Sequence, residues 1–120
     1  PDNEEGRMSE VLTIRPAGGT YVVRAGGAVI AETTAALLLE EKGYDGVVYF
    51  PREDIGMAFL EPSDKTTHCP HKGDARYFHI VAKSGPIQDA GWSYEAPIAG
   101  AEAIAGHIAF AHERVAVERL

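Results

Sequence analysis

The sequence predicts a mainly-β domain, compact and antiparallel, with one short helix. Three observations carry this. Short runs rich in Val, Ile, Tyr and Phe recur along the chain, and glycine pairs or prolines separate them. Only one stretch, Thr33 to Lys42, has both a helix start signal and a stop signal.

Residues 1–10, PDNEEGRMSE, hold four acids and one base without apolar periodicity. A disordered or tag-like tail is expected there, with residues 11–120 forming a single domain. Val11 to Arg15, Thr20 to Arg24 and Ala28 to Ala31 then read as strands of a meander, because Gly18-Gly19 and Gly26-Gly27 supply hairpin turns. Thr33 or Thr34 can cap a helix through Lys42, and Gly43 can end it. Leu37, Leu38 and Leu39 would lay an apolar stripe on the sheet. Gly46 to Phe50 is a strand stopped by Pro51, and Met57 to Leu60 is another, stopped by Pro62. Ser63 to Gly73 reads as a polar loop, and Ala75 to Val81 as a strictly alternating strand. Lys83 to Ala90 reads as a surface turn, Trp92 to Tyr94 as a short strand, and Ala96 to Glu102 as holding one helical turn. Gly106 to Ala111 and Val115 to Val117 read as closing strands around a turn at 111–114.

The chain has 120 residues, enough to bury roughly two-thirds of its unfolded surface. Its 11 Lys+Arg against 18 Asp+Glu give a net charge of −7, which argues against nucleic acid or an anionic membrane as a partner. No apolar run approaches the about 20 residues that cross a bilayer. One cysteine leaves no internal disulfide and no CxxC zinc pair, and fits a reducing cytoplasm. Monomer and homodimer both stay open.

Chemistry concentrates between Tyr49 and His79. Three kinds of titratable group occur there beside prolines for rigidity and glycines for close backbone approach, in segments that are costly to order. The stretches Val48-Tyr-Phe-Pro-Arg-Glu-Asp-Ile55, Thr67-His-Cys-Pro-His-Lys-Gly73 and Ala75-Arg-Tyr77 resemble the bacterial family known as domain of unknown function 427. Trp92-Ser-Tyr94, Ile104-Ala-Gly106 and Ala109-Phe110 follow in the family's order, so the likeness spans about Val11 to Val117. His71 departs from the pattern, since the family commonly has an aromatic there. The resemblance implies a β-tent-like (Mss-four-like) antiparallel fold, akin to methionine sulfoxide reductase B and cereblon-type ligand-binding domains. It implies no activity, although a nucleotidyltransferase label has been attached to the family.

The residues themselves rank the possible chemistries. His68, Cys69 and His71 place three possible zinc ligands in four residues, but adjacent His68 and Cys69 diverge on extended backbone and a complete set is missing. No metal and no cofactor is expected. Cys69 beside His68, His71 and Lys72 could be a nucleophile, or it could turn inward as a small hydrophobic anchor. Nucleotidyl transfer is least favoured, because no carboxylate pair and no glycine-rich phosphate loop is present.

The favoured reading is a pocket for a small polar or anionic ligand around the Thr66 to Gly73 loop. Arg52, Lys72 and Arg76 would supply cations, Thr67 a hydroxyl, and Trp92 and Tyr94 an apolar wall. One concave site lined by Arg52, Asp54, Thr67, His68, Lys72 and Trp92 is expected, with Cys69 buried behind it. The alternatives are an enzyme using Cys69 or a His–carboxylate pair drawn from His68, His71 and Asp54, and a structural or interaction domain without a ligand.

Overall fold

In the computed structural model, residues 12–120 are described; the expected tail at 1–10 and Val11 lie outside the described residues. Ten strands pair antiparallel in three sheets. The first sheet has the order β1 (Leu12–Pro16), β4 (Leu37–Glu41), β5 (Val47–Tyr49). The second has the order β10 (Ala116–Arg119), β2 (Tyr21–Ala25), β3 (Ala28–Thr33). The third has the order β6 (Leu60–Cys69), β7 (Gly73–Ala82), β8 (Gly85–Tyr94), β9 (Ala109–Phe110). The β2–β3 turn is Gly26-Gly27, with φ of 55° and 82°, the two left-handed positions that a two-residue hairpin matched to strand twist requires.

The helix expected over Thr33 to Lys42 is a strand instead. The Thr33 hydroxyl accepts the Ala35 N–H at 2.9 Å and turns the chain there, rather than capping a helix. Beyond that turn β4 lies between β1 and β5, with Leu39 opposite Ile14 on one side and Val47 on the other. Ladder bonds to two neighbours and burial of Leu39 outweigh the helix propensity of Ala and Leu. Helical backbone among the described residues is confined to three single 3-10 turns, at Arg52–Asp54, Met57–Phe59 and Glu102–Ile104.

Four further expectations change. Gly18-Gly19 does not close a hairpin of the expected meander, because β1 pairs with β4 in the first sheet while β2 pairs with β3 and β10 in the second. Met57 to Leu60 is a 3-10 turn whose last residue opens β6. Ser63 to Cys69, read as loop, belongs to β6, an edge strand with little burial on either face and a bulge between Pro62 and Thr66. The turn near Lys83 is shorter than expected, because β8 already starts at Gly85 and bulges around Asp89, a residue with φ of 52°.

The core has two clusters. One joins Val23, Ile30, Phe50, Phe78, Ile80, Ile108 and Phe110, with the Phe50 and Phe110 rings edge to face at 5.6 Å. The other joins Leu39, Tyr49, Ala75, Tyr94, Ile104 and Ala109, and Cys69, Tyr77 and Trp92 pack against it. The candidate site sits on this second cluster.

Candidate functional site

The site is built by the turn between β6 and β7. Pro70 follows Cys69, and the Lys72 N–H donates to the Cys69 carbonyl at 3.2 Å to close the turn. Gly73 has φ of 114°, a left-handed conformation that favours glycine, and a Cβ there would lie in ordinary van der Waals range of the 96–98 backbone. The Lys72 carbonyl accepts the Ile98 N–H at 3.0 Å, which clamps the turn against that segment.

This clamped turn aims two side chains at Glu41, the last residue of β4. Lys72 Nζ donates to Glu41 Oε1 at 2.7 Å, and His71 Nδ1 donates to Oε2 at 3.1 Å. Only 12% of the Lys72 side chain and 14% of the Glu41 side chain are exposed. Burial alone would raise the Glu41 carboxyl, but the hydrogen bonds from Lys72 and His71 outweigh it and hold the group below its ordinary value. Burial would likewise lower Lys72, but the bond to Glu41 prevails and holds it above its ordinary value. The ammonium also stands 5.8 Å from the centre of the Tyr94 ring, whose phenol burial pushes up to about 12.

Beside this trio opens a cleft of about 530 Å³ between the β4–β5 and β6–β7 turns. Leu39, Val47 and Cys69 contribute its apolar lining, and Glu41, Lys42, Asp45, His68, His71 and Lys72 its polar lining. Cys69 is half-buried in that lining. His68 pairs across the turn with Asp74 at 2.7 Å, where both side chains are exposed.

The other residues singled out from the sequence do not line this cleft. Arg52 makes a two-point contact with Glu95 at 2.8 and 3.0 Å. The Arg52 and Arg76 guanidinium groups both stand over the Phe78 ring, at 5.5 and 5.3 Å. Asp54 accepts the Thr33 hydroxyl at 2.7 Å. Thr67 Oγ1 lies 3.1 Å from the Tyr77 hydroxyl. Trp92 Nε1 donates to the Tyr49 hydroxyl at 3.3 Å. Tyr94 is buried beneath Lys72. The sequence marks the turn but not its partner, Glu41, which falls within the helix expected through Lys42. Nor does it mark Glu95. Among the described residues no three His, Cys, Asp or Glu side chains converge as a metal site.

A family model described as a domain of unknown function (DUF427) matches residues 13–120, which takes in both core clusters and the whole cleft. The chain belongs to this family. A search of curated proteins finds no match. The DUF427 assignment agrees with the motifs around Pro51, Cys69 and Trp92, and the family description carries no activity. No helix among the described residues of this DUF427 chain is long and apolar enough to cross a membrane.

Proposed function

We propose that this DUF427 domain binds a small polar ligand in the cleft between the β4–β5 and β6–β7 turns. The observation that carries the reading is the nearly buried Lys72–Glu41 pair with His71 on the same carboxylate, opening onto an apolar floor. Desolvation offsets much of the attraction between two nearly buried charges, so the pair adds little net stability over an apolar replacement while it holds donors and an acceptor in fixed positions. Lys72 is already neutralised by Glu41, and the formal charges of Glu41, Lys42, Asp45 and Lys72 cancel. That balance favours a ligand with both a donor and an acceptor, such as a zwitterion or an amide, over a phosphate.

The test is a thermal-shift titration with a panel of amino acids, primary amides and inorganic phosphate, run on the native chain and on Glu41→Gln. Concentration-dependent stabilisation of the native chain by a zwitterion or amide, absent from Glu41→Gln, supports the reading. Stabilisation by phosphate alone, or equally in both proteins, contradicts it.

A further inference from the structure

A second cavity lies where the three sheets meet, and we propose that it binds a compact organic cation of the alkylammonium class. Its volume is about 280 Å³, just below the about 300–1,000 Å³ typical of ligand pockets. Tyr21 from β2, Trp92 from β8 and Phe110 from β9 line it together with Val117 from β10. Five strands contribute to it in all, since Val47 and Val48 come from β5. No single hairpin could build such a wall. Trp92 turns its one polar atom inward, donating from Nε1 to the Tyr49 hydroxyl, so the rest of the indole is left as apolar π surface.

The polar groups of the lining have one dominant sign. Asp45, in the β4–β5 turn, and Glu113, in the β9–β10 turn, both reach the cavity, and both are exposed. Among the described residues neither makes an ion pair, and no Lys or Arg lines the cavity. Aromatic rings offer a negative quadrupole face to a cation, and carboxylates at the mouth add a charge that an uncharged guest cannot use. A chain of net charge −7 also draws cations toward it. The chemistry that combines these features is an ammonium with a short apolar body. The two cavities share Asp45 and Val47, but Trp92 and Glu113 line only this one.

Trp92 is the chain's single tryptophan, so its fluorescence reports on this wall directly. The experiment is a titration with choline chloride at fixed ionic strength and fixed pH. The uncharged carbon isostere of choline and the variants Glu113→Gln and Glu61→Gln provide the comparisons. A saturable fluorescence change with choline is expected, about tenfold weaker with the isostere. Glu113→Gln should weaken choline binding several-fold, while Glu61→Gln, an exposed carboxylate outside the lining, should match the native chain. A change that does not saturate, equal binding of the isostere, or equal weakening by both variants would each overturn the proposal.

Discussion

Lys72 and Glu41, 31 residues apart in the chain, meet at 2.7 Å and tie the β6–β7 turn to the end of β4. This contact joins the first sheet to the third, and it crosses over the second core cluster through the Tyr94 ring. Removing one partner leaves the other charge short of its main contact. Glu41→Ala and Lys72→Ala should each cost near the lower end of the about 3–5 kcal/mol that breaking a buried pair costs, since both side chains keep some exposure to water. The double variant should lose less than the sum of the two. Urea unfolding of the four proteins measures the coupling, and simple additivity would show that the pair is energetically idle.

This pair and the Arg52–Glu95 pair together set a pH window. The hydrogen bonds from Arg52 to Glu95, and those from Lys72 and His71 to Glu41, hold both carboxyls below their ordinary 4.5 in the folded chain. The unfolded chain then binds protons more readily in this range, so stability is full above 4.5 and falls as the pH drops through the lower folded values. Lys72 acts on the other side. Its ammonium is held above 10.5, so its contribution is present below that pH and is lost as the pH rises through the folded value. Melting curves by circular dichroism should show an acid limb that is shallower in the Glu41→Gln, Glu95→Gln double variant. An unchanged limb would mean that other carboxyls dominate.

Thr33 explains why the chain turns where a helix was expected. Its hydroxyl, buried with the residue at 3% exposure, donates to Asp54 at 2.7 Å and accepts from the Ala35 N–H at 2.9 Å. Thr33→Val keeps the shape but leaves both partners short, which should cost about 1–3 kcal/mol. Chemical denaturation compares it with Thr33→Ser, which keeps the hydroxyl and should lose less. Equal losses would assign the effect to packing instead.

The β2–β3 hairpin was legible because turn chemistry is local, but the meander was not, since β1 pairs with β4 while β2 pairs with β3 and β10. Gly26-Gly27 and the alternation of Ala75 to Val81 specify hairpin and strand without help from the rest of the chain. Leu37 to Leu39 were not legible as strand, because three leucines after alanines carry helix propensity and only pairing with β1 and β5 overrides it. Ser63 to Cys69 looked like loop because an edge strand exposed on both faces has no alternation to display. The site divides along the same line. His68, Cys69, His71 and Lys72 cluster in sequence and could be found there. Glu41 comes to them only through the β4 strand, and reading that segment as a helix hid it.

The most direct test of the cleft is an amide chemical-shift map of the isotopically labelled chain with the ligand class that stabilises it. Perturbations centred on Glu41, Val47, Cys69, His71 and Lys72, and lost in Lys72→Met, are the predicted result. Perturbations that bypass these residues, or that persist unchanged in Lys72→Met, would contradict the account.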